Sequence, residues 1–213
     1  MACLVWTRCF EPVTVRAAPT NSISMRNHVT RWRMHRVCIF SGSRDGTTPR
    51  YLVAAREVGA AIAGRGWGVV YGGASVGLMG AMADAALAAG GEVHGVIPAS
   101  MVERELAHPR LSALRVTTSM HQRKAEMHAL AHAFLALPGG FGTLDETFEA
   151  ITWSQLGLHR KPIGLLDVDG FWQPLVRWIE RAVADGFVPG EHAAALRVHD
   201  DVGAMLDALG PAA

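Results

Sequence analysis

Short apolar runs alternate with amphipathic stretches along most of this chain, and no other feature of the sequence restricts the possible folds so strongly. The first three runs of strand length begin at Val37, Trp67 and Glu92, and segments with helical spacing of apolar residues separate them. Strands and helices that alternate in this way form a parallel sheet, because each helix returns the chain to the edge where the next strand starts. The pattern predicts an α/β fold, with helices on both faces of one Rossmann-like parallel sheet.

The predicted elements follow one another closely. The predicted strands are 37–40, 67–71, 92–97, 114–116, 133–137 and 162–167. The predicted helices are 49–65, 76–89, 120–131, 143–156 and 171–185. In the last helix, Trp178 recurs at helical spacing with other apolar residues, which predicts that it packs in the core.

Composition limits both the number of domains and the class of partner. The chain has 213 residues, half of them hydrophobic, which suits one domain with a sizeable core. Its formal net charge of +1 leaves no excess field to attract nucleic acid or an anionic membrane. The three cysteines form neither a zinc motif nor a disulfide framework, and no apolar run reaches transmembrane length. We expect a cytoplasmic protein with no nucleic-acid or membrane partner.

Residues 1–34 differ from the rest of the chain, because they contain five arginines against the single acid Glu11 and show no clear period. We expect a poorly structured N-terminal extension, followed by one domain over residues 35–213. Two interpretations of the extension are open. In the first, these residues are a disordered tail, or the start codon is wrongly assigned and Met25 or Met34 is the true first residue. In the second, they are a targeting segment, for which an arginine-rich, acid-poor composition is typical.

Glycine-rich turns follow three of the predicted strands, at the edge where open parallel sheets bind ligands. They are Ser41-Gly42-Ser43, residues 72–77 and residues 138–146. Each is also compatible with an ordinary tight turn, but together we expect them to line one crevice. The second turn matches a dinucleotide motif only weakly, since Ala74 occupies the position of the middle glycine, and no triphosphate-binding loop occurs. The expected ligand is a monophosphate.

The third turn, Pro-Gly-Gly-Phe-Gly-Thr-Leu-Asp-Glu, has the features of a phosphate site. Its glycines allow backbone N–H groups to point outward, and a helix beginning near Thr143 adds the positive end of its dipole. Glu146 would repel a phosphate, so we expect its carboxylate to face a sugar hydroxyl, a water or a glycosidic carbon. The alternative is a capping box, in which Thr143 and Glu146 only satisfy N–H groups at the helix start.

A basic pair, Arg123 and Lys124, begins the helix before this turn. A guanidinium can bind a phosphate or carboxylate through two parallel hydrogen bonds, so Arg123 is the best cation for the crevice. Taken alone, the pair is more typical of a solvated basic helix face. His128 and His132 are four residues apart but have no third ligand at a matching interval, so no metal site is expected.

Four segments together resemble the LONELY GUY family of cytokinin riboside 5′-monophosphate phosphoribohydrolases, long labelled lysine decarboxylase-like. They are residues 77–80, 120–124, 138–146 and 152–157, and the likeness extends from about Val37 to Val188. The resemblance implies a Rossmann-like fold and a homodimer with its sites near the subunit interface. It also implies hydrolysis of the N-glycosidic bond of an N6-modified adenosine monophosphate, which releases the free base and ribose 5-phosphate.

The same resemblance implies roles for individual residues. Arg123 and Glu146 would be the catalytic pair. The residues in contact with the substrate would be Glu105, Lys124, Gly139, Gly140, Phe141, Gly142, Thr143, Leu144, Asp145 and Thr152. No cofactor is implied. Departures from the family pattern at Ser41, Ala74 and His132 affect the expected base pocket, so plain AMP remains an alternative substrate.

Two rival functions follow from the same residues. One is a binding protein of the same fold, such as a molybdenum-cofactor carrier, which would hold a nucleotide without consuming it; an intact Arg123 and Glu146 favour the hydrolase. The other is a true lysine decarboxylase, which would need pyridoxal phosphate on a Schiff-base lysine. The chain contains only Lys124 and Lys161, and Lys161 precedes Pro162 at a strand entrance, where a surface position is expected.

Overall fold

The structure of the protein, a computed structural model, describes residues 34–102 and 107–211, and within them seven strands form one parallel sheet. The strands are β1 (Arg36–Phe40), β2 (Gly68–Tyr71), β3 (Glu92–Pro98), β4 (Ala113–Thr117), β5 (Ala133–Ala136), β6 (Ile163–Leu166) and β7 (Leu196–His199). Their order across the sheet is β4-β3-β2-β1-β5-β6-β7. The predicted fold class is confirmed.

The helices lie between the strands as predicted, with ends that differ by at most two residues. They are α1 (Pro49–Gly64), α2 (Gly77–Ala88), α3 (Ala99–Val102), α4 (Met120–Leu130), α5 (Phe141–Gln155), α6 (Gln173–Ala184), α7 (Gly190–Ala194) and α8 (Val202–Leu209), with a 3₁₀ turn at Val168–Gly170. The short α3 and everything after α6 were not predicted. No helix in the described part of the chain is long and apolar enough to cross a membrane.

Two predictions fall on residues that the structure does not describe. The N-terminal extension predicted for residues 1–34 lies outside the described residues except for Met34. Glu105, expected to contact the substrate, also lies outside them.

Helices cover both faces of the sheet, and a core lies on each face. Each strand contributes to both cores, because its successive side chains point to opposite faces. Val37 and Ile39 of β1 point into a core formed with α1, α2 and α8. Cys38 and Phe40 point into the opposite core, to which α4 and α5 contribute Met127 and other side chains. Each strand of the sheet centre is therefore buried on both sides, as parallel strands require.

One packing prediction was wrong. Trp172, next to α6, is buried as expected, but Trp178 within α6 is 55 % exposed. Ala182 is the only buried residue of this helix, so α6 lies at the margin of the domain. The Trp178 ring contacts Phe148 of α5 edge-on, with 5.9 Å between the ring centroids, and the helical spacing therefore reflects a surface contact.

The order of strands switches at β1: β2, β3 and β4 follow one another on one side of it, and β5, β6 and β7 on the other. Ligands bind at such a switch point in open α/β sheets, outside the carboxyl ends of the strands. The three glycine-rich turns meet there. The Gly42 N–H donates to Pro138 O at 3.1 Å, and the Leu78 N–H donates to Gly42 O at 3.1 Å. The predicted meeting of the three turns is confirmed, and the crevice between them stays a prediction.

Candidate active site

The turn after β5, here called the β5 turn (residues 138–142), includes the start of α5, which lies two residues earlier than predicted. The helix begins at Phe141, and the residue that caps it is Gly140, which has no side chain to bond the first N–H groups. Thr143 consequently lies inside the first helical turn, and the capping box with Thr143 as the cap is wrong. Uncapped N–H groups and the helix dipole at this end together favour an anion.

The glycines of the β5 turn differ in their surroundings. A Cβ atom on Gly140 or Gly142 would meet no other atom within 4 Å. A Cβ atom on Gly139 would lie only 2.1 Å from the Thr143 hydroxyl oxygen and 2.9 Å from the Gly42 nitrogen. Gly139 is thus needed for packing of the turn itself, whereas the space beside Gly140 and Gly142 is open to a ligand.

Arg123 and Glu146 form an ion pair at the base of the crevice. The distance from Arg123 Nη1 to Glu146 Oε1 is 2.9 Å. The Arg123 Nε–H donates a second hydrogen bond to Val96 O at 3.1 Å. Both residues are more than nine-tenths buried, so the interpretation of Arg123 as part of a solvated helix face is wrong.

Local sequence explains how α4 brings Arg123 to this position. The Ser119 hydroxyl caps α4 by accepting a hydrogen bond from the Gln122 N–H at 3.2 Å. Arg123 then lies in the first turn of α4, which follows β4 in the chain. Met127, one turn further along, packs in the core on the same side of the helix.

Burial raises the pKa of the Glu146 carboxyl above its ordinary value, and the Arg123 guanidinium opposes this by charge and hydrogen bonding. The two effects are of opposite sign because water is lost from the carboxylate while a cation is gained. A titratable group with such a perturbed pKa, paired with a specific charge and set in a cleft, is typical of catalytic sites.

Lys124 lies beside this pair and is held by two carboxylates of α5. Its Nζ is 3.2 Å from Asp145 Oδ2 and forms a close ion pair with Glu149. The hydrogen bond to Glu149 is the main cause of a raised pKa of the Lys124 amine. Glu149 was not predicted, although its position one helical turn after Asp145 could have indicated it.

The remaining predicted contacts lie along the outer side of α5. Leu144, Asp145 and Thr152 line a surface groove together with Phe148, and Phe141 at the end of this groove is 92 % exposed. The structure thus separates the predicted residues into two groups. Arg123, Thr143 and Glu146 are buried, and the other predicted residues that the structure describes are partly or fully exposed.

His128 of α4 and His132, which follows this helix, make separate contacts within the protein. The ring of His128 is buried against Phe134 and Trp153, and desolvation lowers its pKa to about 4. His132 Nδ1 instead accepts a hydrogen bond from the Arg36 N–H at 3.1 Å. Across residues 34–102 and 107–211, no three His, Cys, Asp or Glu side chains are arranged to hold a metal ion.

The turn after β2, here called the β2 turn (residues 72–77), forms the other wall of the crevice. Its Ala74 pairs with Ala107 in an isolated antiparallel bridge, and the Tyr71 hydroxyl donates to Ala74 O at 3.1 Å. The His108 N–H donates to Gly73 O at 2.8 Å. This hydrogen bond anchors the chain before β4 to the β2 turn. His108, which sequence patterns did not indicate, is itself buried.

Comparison with known proteins assigns the chain to a family. Residues 79–209 match the family described as possible lysine decarboxylase. A probable cytokinin riboside 5′-monophosphate phosphoribohydrolase of Oryza sativa subsp. japonica is 47 % identical over 168 residues, which are 79 % of this chain and 74 % of the relative. The chain belongs to the LONELY GUY family. The predicted resemblance is confirmed.

Other LONELY GUY proteins are equally similar. The cytokinin riboside 5′-monophosphate phosphoribohydrolase LOG of Oryza sativa subsp. japonica is 48 % identical over 158 residues, 74 % of this chain and 65 % of that protein. An Arabidopsis thaliana enzyme of the same name, LOG7, is 48 % identical over 159 residues, 75 % of this chain and 73 % of that protein. The chain therefore spans slightly less than two thirds of the rice LOG protein and somewhat more of the Arabidopsis one.

Solved structures of lower sequence identity share the fold. The molybdenum-cofactor carrier protein of Chlamydomonas reinhardtii has a TM-score of 0.64 and 24 % identity, covering 83 % of this chain and 95 % of the carrier. A molybdenum cofactor binding protein of Rippkaea orientalis has a TM-score of 0.62 and 22 % identity, covering 82 % and 94 %. At this identity the likeness shows the fold alone.

Proposed function

We propose that this chain is a nucleoside 5′-monophosphate phosphoribohydrolase, which hydrolyses the N-glycosidic bond of cytokinin riboside monophosphates to a free base and ribose 5-phosphate. The observation that carries the proposal is the buried Arg123–Glu146 pair, 2.9 Å apart, beside the open start of α5. The names of relatives that are almost half identical supply the substrate class.

Glu146 is proposed to act on the ribose. When the bond between the base and C1′ breaks, positive oxocarbenium character develops on the sugar, and a carboxylate nearby stabilises it. The base leaves with the bonding electron pair and takes up a proton. A water adds to C1′, and Glu146 orients this water or accepts its proton. Ionised Glu146 is needed for each of these roles.

Arg123 is proposed to keep Glu146 ionised and in position. The hydrogen bond from Arg123 Nε to Val96 O restrains the guanidinium, so that its Nη1 faces the carboxylate. Because the guanidinium remains charged when desolvated, it offsets part of the cost of burying Glu146. Arg123 thus acts on the reaction together with Glu146 as one unit.

The 5′-phosphate is proposed to bind at the start of α5. The space beside Gly140 and Gly142 lets the phosphate reach backbone N–H groups, while Gly139 and Thr143 shape the turn. Lys124 would supply positive charge, because a phosphate can replace one of its two carboxylate partners. Further contacts with the substrate are assigned to Glu105, Phe141, Leu144, Asp145 and Thr152.

We further propose that two copies associate, with the sites near their interface. Support comes from the groove along α5, where Phe141, 92 % exposed, lies with Leu144 and Phe148, since a contiguous exposed apolar patch is typical of protein contacts. A cytoplasmic location, an extension over residues 1–34 and a catalytic domain over residues 35–213 belong to the same proposal.

The proposal is tested by chromatographic detection of the base released from AMP and from N6-isopentenyl-AMP. We expect release by the wild type, with the preferred substrate revealing the base pocket. Glu146→Gln should lower kcat by about 10²–10⁴-fold with little change in KM, since the carboxylate acts mainly in the transition state. Unchanged activity of this variant would refute the mechanism. Tight nucleotide binding without release by the wild type would instead favour a carrier.

A further inference from the structure

Gly72, the first residue of the β2 turn, lies directly against the guanidinium of Arg123. A Cβ atom built on Gly72 would be 2.2 Å from Arg123 Nη2 and 3.3 Å from Arg123 Cζ. Real Cβ atoms essentially never approach another heavy atom within 3.0 Å. An alanine at this position therefore requires Arg123 to move.

Arg123 has little freedom to move. Its Nε donates to Val96 O at 3.1 Å, and its Nη1 lies 2.9 Å from Glu146 Oε1. The guanidinium is planar and rigid, so these two directional contacts restrict where its third nitrogen can lie. Nη2 is the nitrogen that faces Gly72. A displacement away from position 72 therefore lengthens or misaligns the contact with Val96, the contact with Glu146, or both.

Backbone conformation does not explain the glycine at position 72. Two other glycines of the β2 turn have the positive φ that favours glycine, 78° for Gly73 and 60° for Gly77, but Gly72 does not. Alanine can adopt its backbone without strain. The remaining reason for glycine at this position is the space that Arg123 occupies.

We infer that Gly72 is a positioning residue for the Arg123–Glu146 pair: the absence of a side chain at position 72 leaves the space in which Arg123 Nη2 lies, and so keeps Arg123 aligned with Glu146. The inference rests on the proposed function and adds a role for the second glycine turn. That turn resembles part of a dinucleotide motif, but its first glycine faces a protein side chain.

The first test compares Gly72→Ala with Gly64→Ala. Gly64 is a matched control, because it lies in α1, has no positive φ and would place a Cβ atom in open space. Gly72→Ala should lower kcat for base release by about 100-fold, the loss typical of a catalytic group displaced by about 1 Å, with a smaller change in KM. Gly64→Ala should keep wild-type kinetics.

A double-mutant cycle shows whether the effect of Gly72→Ala is transmitted through Arg123. A lysine amine has no counterpart of Nη2, so in an Arg123→Lys background the change Gly72→Ala should cost less than about threefold in kcat. The same cycle is measured by urea unfolding, which needs no activity. There Gly72→Ala should lower the midpoint in the wild-type background and leave it nearly unchanged with Arg123→Lys.

The outcomes separate the inference from the proposed function. A wild type that releases no base from either nucleotide would overturn the proposed function and this inference with it. An active wild type with an equally active Gly72→Ala variant would overturn the inference alone. Equal losses from Gly72→Ala in both backgrounds, in kcat and in unfolding midpoint, would also overturn it, because Gly72 would then act independently of Arg123.

Discussion

The β2 turn and the β5 turn are both rich in glycine, but glycines of the first lie against protein atoms and two glycines of the second lie beside open space. In the β2 turn, a Cβ atom on Gly72 would meet Arg123, and one on Gly77 would lie 2.3 Å from the carbonyl carbon of Ser43. In the β5 turn, Cβ atoms on Gly140 and Gly142 would meet nothing within 4 Å. Glycine therefore makes room for the protein in the first turn and for a ligand in the second.

This difference shows that glycine content alone does not identify a phosphate site. A glycine with protein atoms against it affects packing, conformation or the position of a side chain, and its replacement should alter stability or geometry. A glycine beside open space, at an uncapped helix start, should matter only when a ligand is bound. Gly139 is an exception within the β5 turn, because Thr143 and Gly42 pack against it.

The largest effect is expected for Gly77→Ala in the β2 turn. Gly77 has a φ of 60°, and the added Cβ atom would meet the backbone of Ser43 and Arg44, which cannot rotate away. The free energy of unfolding should fall by about 3 kcal/mol or more, from strain and steric overlap together. Urea unfolding measures this, with Gly64→Ala as the control. A loss below about 1 kcal/mol would contradict the packing role of the β2 turn.

A substitution in the β5 turn should have the opposite character. Gly142→Ala places a methyl group where we propose the phosphate binds, so kcat/KM should fall by about 10–100-fold. The free energy of unfolding should stay the same or rise by up to about 1 kcal/mol, because alanine favours a helix more than glycine does. Measuring both quantities on one preparation is essential. Full activity would show that the open space is not used by the substrate.

The Arg123–Glu146 ion pair should be visible in the pH dependence of the reaction. Burial raises the pKa of Glu146 and Arg123 lowers it, so removing the Arg123 charge should raise this pKa further. Because the carboxylate must be ionised to act, the acidic limb of the kcat/KM profile should move to higher pH in Arg123→Gln. Lys124→Gln should move it less, since Lys124 is the weakest of the cationic influences on Glu146. Equal limbs in all three proteins would contradict the pairing.

The smallest effect is expected for Ala74→Gly, which would restore a third consecutive glycine in the β2 turn. Ala74 is buried and pairs with Ala107, so its Cβ atom is already accommodated. The substitution should cost about 1 kcal/mol or less, through greater freedom of the unfolded chain, and change kcat/KM by less than about twofold. A large gain in activity would show that this alanine obstructs the substrate.

Much of the fold was predictable, because the central strands are buried on both faces and appear as continuous apolar runs. The edge strand β7 was missed for the converse reason, since Leu196–His199 is only partly buried and has no apolar run. Helix α8 could have been found, because Val202, Met205, Leu206 and Leu209 recur at helical spacing and are all buried. The prediction for Trp178 is wrong because helical spacing of apolar residues does not reveal whether a helix lies in the core or at the margin of the domain.

The candidate site was predictable in its composition and much less in its geometry. The motif at residues 138–146 and the basic pair indicated a phosphate site, but the same residues also suited a capping box and a solvated helix face. The structure excludes both alternatives, because α5 begins at Phe141 and Arg123 is buried. Glu149 and Gly72 were missed because their partners, Lys124 and Arg123, come from elements distant in sequence.

The sequence by itself determined the parallel α/β fold, the family and the residue types at the crevice, because these follow from periodicity and from motifs local in the chain. Only the tertiary structure decided which charges pair, which glycines are crowded and which side chains are desolvated. The physical reason is that burial and ion pairing depend on distances between elements. Arg123 on α4, Glu146 on α5 and Gly72 after β2 meet only because β1 brings β2 and β5 to its two sides.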